Sequence, residues 1–209
     1  MTAHSPVPAS TRPRQLGNAI LEFALVINLL FLLLLGALDV GMSLGESIQV
    51  MQISRDAGHM YARHVDFTLP ANQDLIVRLA ADLGMSRHGG TGKVILSTVL
   101  FVGEPECLAG GLPPPLCPNY NHPVILQRVV IGNPSLPPSR IGEPNPALLD
   151  SNGNVTAYLT EPTARATDLE LLQLQPGELA YVSEAVFSST PFSWSLFSDV
   201  RHIYTRTIF

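Results

Sequence analysis

The 209-residue chain has a net charge of −5, and 14% of its residues are charged whereas 46% are hydrophobic. No basic patch occurs outside residues 1–17, which argues against nucleic-acid binding. The length suits one membrane anchor followed by one further domain.

A polar leader precedes a long apolar run. Residues 1–17 contain arginines but no acid, and the run from Phe23 to Leu38 has no charged residue. Positive charge before an apolar segment keeps that side in the cytoplasm, so the C-terminal side is predicted to be exported. In a secretory signal peptide the apolar region precedes the cleavage site. Here the small-residue site, Gly17, comes first, so cleavage there would leave the apolar helix on the mature protein.

Glu22 stands at the start of this apolar run, and Asp39 follows its end. A carboxylate costs roughly 2.5–3.5 kcal/mol at the bilayer centre and less near the edge. A carboxylate in this position brings no benefit to an ordinary membrane anchor. In a subunit that polymerises through its N-terminal helix, the carboxylate can pair with the new N-terminal amine of a neighbouring subunit.

The stretch from Arg14 to Leu25, RQLGNAILEFAL, leads into a Leu-rich helix that ends at residues 35–41. It resembles type IV prepilin-like proteins, and more narrowly the TadE-like pseudopilins of the tight-adherence (Flp, type IVc) pilus. The resemblance implies that a prepilin peptidase cuts after Gly17, so that Asn18 becomes the first mature residue and Glu22 the fifth. Many type IV pilins have Phe or Met after the cut and methylate its amine. Because this chain has Asn18 there, we do not carry N-methylation over.

The resemblance implies a minor pseudopilin in the bacterial inner membrane, with a cytoplasmic N-terminus and a periplasmic C-terminal domain. Its expected partners are the prepilin peptidase, other pilins and pseudopilins, the inner-membrane assembly platform and the lipid bilayer. No cofactor is expected. Whether the subunit enters the pilus stays open. The alternatives are an uncleaved bitopic protein with a sensing or binding domain, and a type II secretion pseudopilin.

The apolar pattern predicts one long helix from residue 18 to about 65. Phe23 to Leu38 spans about 24 Å at 1.5 Å per residue, short of a roughly 30 Å hydrocarbon core, so the span extends to about Leu44. Beyond it, apolar residues at spacings of three and four predict an amphipathic half that packs on the exported domain. They are Val50, Ile53, Ala57, Met60, Tyr61 and Val65.

Ala37, Gly41 and Gly45 lie four residues apart on one face of this helix. Small residues at this spacing allow close packing between helices. Apolar helices also carry Gly and Ala without such a role, and both interpretations stay open. Ser43 lies within a G-x-S-x-G pattern, but a nucleophilic serine needs a strand–turn–helix elbow. A serine inside a continuing helix does not supply one, and no enzyme is predicted.

Residues 66–209 are predicted to form an exported α+β domain with an antiparallel, pilin-like sheet. We predict a short helix over 71–83, with Leu75, Ile76, Leu79 and Leu83 on one side, and a turn at Gly84. Strands are predicted over Lys93–Val102, Val124–Ile131, Glu178–Ser188 and Arg201–Phe209. A small hairpin with a primed turn at Asn152-Gly153 is predicted between Leu148–Asp150 and Val155–Leu159. The proline-rich stretch 105–146 is predicted to be mostly loop.

Cys107 and Cys117 are the only cysteines, and an exported context favours a disulfide between them. A zinc site would need further ligands, with His122 the nearby candidate. Asp150 begins a pattern similar to a calcium loop with Glu161 at its twelfth position, although Val155 stands where such a loop needs Gly. No metal site is predicted.

Overall fold

The structure is a computed structural model that describes residues 16–169, 173–189 and 201–209. The helices are α1 (Leu16–Ala62), α2 (Pro70–Leu79) and α3 (Glu104–Ala109). The strands are β1 (Met85–Ser86), β2 (Gly89–Gly90), β3 (Gly92–Phe101), β4 (Pro123–Gly132), β5 (Leu179–Ser189) and β6 (Arg201–Ile208). A long N-terminal helix followed by an antiparallel sheet confirms the predicted α+β class.

The chain divides into two units, Met1–Met42 and Ser43–Phe209. We call the second the sheet domain. The predicted boundaries at residues 17 and 65 separate the cleaved leader, the N-terminal helix and the exported domain. They stay predictions.

Helix α1 has the predicted buried face in its C-terminal part. Val50, Ile53, Ala57 and Tyr61 are buried against the sheet, and Met60 and Val65 pack beside them. The helix ends at Ala62 rather than about residue 65. The N–H of His64 donates to the Tyr61 carbonyl at 2.9 Å, and that of Val65 donates to the Met60 carbonyl at 3.1 Å. This cap, in which one residue adopts a left-handed conformation, turns the chain away from the helix axis.

The main sheet is antiparallel with the order β4-β3-β5-β6, so all four longer predicted strands are confirmed. Strand β3 pairs with β4 and β5 along its whole length, and the β3–β4 register shifts between Thr98 and Val99. One face of the sheet packs against α1. The other face lies under the connections between β4 and β5, where Ile141, Val155 and Ala164 are buried. The central strands are therefore mostly apolar on both faces, with a few buried polar residues such as Ser97 and Glu184.

A buried polar network attaches these connections to the sheet. Glu184 is fully buried and accepts hydrogen bonds from the Ser139 hydroxyl, from the Arg140 N–H at 2.9 Å and from the Tyr204 hydroxyl at 2.6 Å. Arg128 donates to Ser139 at 3.2 Å. Burial lowers the pKa of Arg128, while Glu184 favours its charged form. Burial and the bond to Glu184 hold the pKa of Tyr204 well above its usual range. Glu184 and Arg128 are both satisfied by hydrogen bonds to neutral groups, as the burial of charged side chains requires.

The second helix differs in part from its prediction. It ends at Leu79 and continues as a short 3-10 turn over Ala81–Leu83, which Gly84 closes with φ +71°. Only Ile76 of the predicted apolar side is buried in α2, whereas Leu75 and Leu79 are exposed. Helix α2 is short, and about one of its turns contacts the hydrophobic core. It therefore does not need apolar residues along a whole side.

The predicted hairpin over 148–159 is confirmed in part. Leu149 and Val155 form an isolated antiparallel bridge on either side of a turn at Gly153, and the Asp150 N–H donates to the Asn154 carbonyl at 2.9 Å. Asn152 does not have positive φ, so the turn is not primed as predicted. The same loop also pairs with the outer edge of β4, where the Val155 N–H donates to the Leu126 carbonyl at 2.8 Å. The predicted proline-rich loop is interrupted by α3 as well as by β4.

Candidate functional site

The predicted processing residues lie in the first turns of α1. Gly17 and Asn18 both have helical backbones, and Glu22 lies one turn further along. The Glu22 side chain is exposed. Within the described ranges no cationic side chain forms an ion pair with Glu22 or with Asp39. Cleavage after Gly17 stays a prediction.

The N-terminal half of α1 is apolar and open to its surroundings. Over residues 19–45 no side chain is buried, and Leu25 is 75% exposed. Residues Ala19–Ala62 form a helix long and apolar enough to cross a membrane, judged by length and composition, with a mean hydropathy of 2.5 in its most apolar window. Phe23 to Leu44 spans about 33 Å, which matches a hydrocarbon core of roughly 30 Å. A single N-terminal apolar helix of this kind suggests a membrane-anchored protein.

Asn28 is the polar interruption within this apolar run. Its side-chain amide donates to the Ala24 carbonyl at 2.8 Å, one turn earlier in the same helix. This bond satisfies one of the two amide N–H groups. A neighbouring helix could pair with the second N–H and with the side-chain oxygen.

The small residues share an open face. Ala37, Gly41 and Gly45 are exposed, and a Cβ added at either glycine would meet no atom within 4 Å. The structure thus leaves room for a close neighbour along this face, and their use in helix packing stays a prediction. Ser43 lies inside α1, so the G-x-S-x-G pattern does not form a nucleophile elbow.

The cysteines form the predicted disulfide. Cys107 of α3 is bonded to Cys117, and their Cα atoms are 6.0 Å apart. Both are buried in a small cluster with Leu100, Val102 and Val124. The bond ties the proline-rich connection to the end of β3. A disulfide leaves no thiolate for the zinc alternative.

The residues of the calcium alternative serve local turns instead. One Asp150 oxygen accepts from the N–H groups of Asn152 and Asn154, both at 2.8 Å, and the other accepts from the Asn154 amide at 2.8 Å. The Asn154 bonds are the main cause of a lowered Asp150 pKa. Glu161 caps the next 3-10 turn through Thr163. In the part of the chain that the structure describes, no three His, Cys, Asp or Glu residues group as a metal site would require.

A comparison with protein families found a match for the segment that contains the predicted processing residues. The family model described as TadE-like protein matches residues 17–59. The chain is TadE-like over this segment. The match runs from Gly17 through the apolar half of α1 and into the part that packs on the sheet. It associates the chain with the Tad pilus system. No curated protein and no solved structure matches the chain.

The sheet domain also has a cleft that no sequence pattern predicts. It has a volume of about 410 Å³ and lies where α1 ends above the sheet. At its base the Tyr61 hydroxyl bonds to the Thr98 hydroxyl at 2.7 Å and to the Gln127 carbonyl oxygen at 3.0 Å. Tyr181 and the loop with Asn152 complete the lining. These residues come from five separate stretches of sequence, so no local motif marks the cleft.

Proposed function

We propose that the chain is a minor pseudopilin of a tight-adherence (Flp, type IVc) pilus and takes part in pilus biogenesis, adhesion and assembly. The observation that carries this proposal is the TadE-like match over residues 17–59, which includes a potential cut site and a carboxylate five residues beyond it. The exposed apolar half of α1 supports it, because a helix with no buried side chain over residues 19–45 needs lipid or other helices around it.

The proposed mechanism begins with insertion. The basic leader holds the N-terminus in the cytoplasm, α1 enters the inner membrane, and the sheet domain is exported to the periplasm. A prepilin peptidase then hydrolyses the peptide bond after Gly17 and releases the leader. The new N-terminal amine lies on Asn18, in the same helix as Glu22.

Assembly follows from the chemistry of these two groups. The amine of one subunit pairs with Glu22 of a neighbouring subunit or of the major pilin. In a layer of low dielectric constant the attraction is strong, and pairing removes the cost of an isolated carboxylate there. The pair also sets the axial register between helices, while the face with Ala37, Gly41 and Gly45 allows close helix contact. The role is structural rather than catalytic.

A block at the cut site tests this proposal. Gly17→Leu places a bulky residue before the scissile bond, and Gly36→Leu makes the same change where a Cβ would meet no atom within 4 Å. We expect Gly17→Leu to retain the leader and lose assembly, whereas Gly36→Leu is processed. Electrophoretic mobility of the full chain and its recovery with pilus subunits give the two readouts. Normal assembly of an uncleaved Gly17→Leu chain would contradict the proposal.

A further inference from the structure

The cleft in the sheet domain has the chemistry of a sugar-binding site. Three aromatic rings meet at one side of it. The Tyr181 ring is nearly perpendicular to that of Tyr61, with centroids 5.6 Å apart, and to that of His64, with centroids 5.8 Å apart. Aromatic rings offer flat apolar surface with polar edges, which suits the C–H face of a pyranose ring.

Neutral hydrogen-bonding groups face these rings. Asn152 is exposed at the rim, and Gln127 and Thr98 are half-buried at the base. The Gln127 amide already donates to the Asn152 carbonyl at 3.1 Å and its oxygen accepts from Tyr61, so one Gln127 N–H and one lone pair remain for a ligand. Amides and hydroxyls both donate and accept, as the hydroxyl groups of a sugar do. Among the described residues no lysine or arginine lines the cleft, and Asp66 is its one acid. A neutral ligand therefore fits better than a phosphate or another anion. The volume lies within the roughly 300–1,000 Å³ of small-molecule sites.

His64 supplies a separate observation. His64 lies two residues after the end of α1, where the helix cap has a left-handed backbone conformation, and its φ is +65°. Glycine is the usual residue there, because side chains are strained in this conformation. The chain instead has an imidazole ring at this point, and that ring contacts Tyr181 at the edge of the cleft. Histidine adopts this conformation more readily than most residues other than glycine, so the cap places an imidazole ring at the edge of the cleft.

We propose that this cleft binds a short neutral glycan, with a pyranose ring against Tyr181 and His64 and its hydroxyl groups on Asn152 and Gln127. A mono- or disaccharide fills the volume. The proposal does not depend on processing after Gly17 or on pilus assembly.

The test uses the full chain in lipid nanodiscs, since detergents with sugar headgroups would compete. The probes are glucose, galactose, mannose and N-acetylglucosamine with their 1,4-linked disaccharides, and saturation-transfer NMR detects contact. We expect at least one to bind with a Kd of about 1 mM or tighter. No binding by any of these sugars overturns the proposal.

The variants locate the site and separate binding from folding. His64→Gly removes the ring but suits the cap, so affinity should fall at least about tenfold while Tm is unchanged or higher. Asn152→Ala should also weaken binding. Tyr120→Ala, at an exposed aromatic residue that does not line the cleft, is the matched control. Sugar binding that survives both His64→Gly and Asn152→Ala would show that the ligand binds elsewhere and would overturn the assignment.

Discussion

Glu22 lies four residues after Asn18 in α1 and has an exposed side chain at the start of an apolar run. Glu22→Gln keeps the size and removes the charge. We expect cleavage and insertion to be unchanged, while the assembled fraction falls at least about tenfold. Breaking a buried ion pair costs roughly 3–5 kcal/mol, and 1.4 kcal/mol already corresponds to a factor of ten. Cross-linking to neighbouring pilus subunits measures that fraction.

Asp39 provides the matched control, because it is the acid at the other end of the same apolar run. Asp39→Asn should assemble like the wild type. If both substitutions weaken assembly equally, general charge rather than pairing with the amine is responsible, and the register role of Glu22 is wrong.

Tyr61 gives a prediction on pH. Burial raises the pKa of Tyr61 from 10.0 to about 12, partly offset by the hydrogen bond to Thr98. A raised pKa in the folded state means that the unfolded chain loses this proton first. The contribution of Tyr61 to the free energy of unfolding is therefore fully present below pH 10 and decreases as the pH rises towards 12. At pH 11 the loss is about 1.4 kcal/mol.

Urea unfolding of the full chain in nanodiscs at pH 8 and pH 11, followed by circular dichroism, measures this loss. Tyr61→Phe should lose less stability than the wild type over this interval, by about 1.4 kcal/mol. Tyr120→Phe removes an exposed hydroxyl and should behave like the wild type. An equal loss in Tyr61→Phe and the wild type would mean that Tyr61 does not titrate as its burial requires.

At the scale of elements, Gly58 sets how closely α1 approaches the sheet. A Cβ at Gly58 would lie 2.3 Å from Cε2 of Phe209 and 3.0 Å from Cβ of Ser183. Gly58→Val should lower the free energy of unfolding by about 1–3 kcal/mol more than Gly45→Val, because overpacking forces neighbours to move. Gly45 is in the same helix but has open space around it. Equal effects on the urea midpoint would show that helix propensity, and not packing, controls both changes.

The elements that the sequence predicts well are those with a long apolar pattern. Strands β3 and β5 are mostly apolar on both faces because both faces are covered, and α1 shows its helical spacing where it packs. The hairpin of β1 and β2 was missed because each strand has two residues, too few for an alternating pattern. Asn152-Gly153 did indicate a turn, but nothing local reveals that its loop pairs with β4.

The same contrast holds for the two sites. The predicted processing segment is contiguous, so a resemblance over a short stretch of sequence was enough to predict roles for Gly17, Asn18 and Glu22, and those roles stay predictions. The cleft is assembled from the end of α1, three strands and a distant loop. The one local indication of the cleft is His64, a residue other than glycine two positions after the last residue of α1. This indication can be used only once the end of the helix is known.

For the whole molecule, the segment that matches a known family and the strands of the sheet occupy different parts of the chain. The TadE-like match covers residues 17–59, whereas the sheet and most of the cleft come from residues that follow it. In our account the helix carries the shared assembly chemistry, and the sheet domain carries what is particular to this chain. A change in the cleft should therefore leave processing and assembly intact, which His64→Gly tests directly.

The N-terminal residue of the protein from membranes, with and without the prepilin peptidase of the host, tests the central claim most directly. N-terminal sequencing or intact mass determines that residue. The account predicts Asn18 at the N-terminus when the peptidase is present and the intact leader when it is absent. Retention of residues 1–17 in both cases would contradict the account, because no new amine would then exist to pair with Glu22.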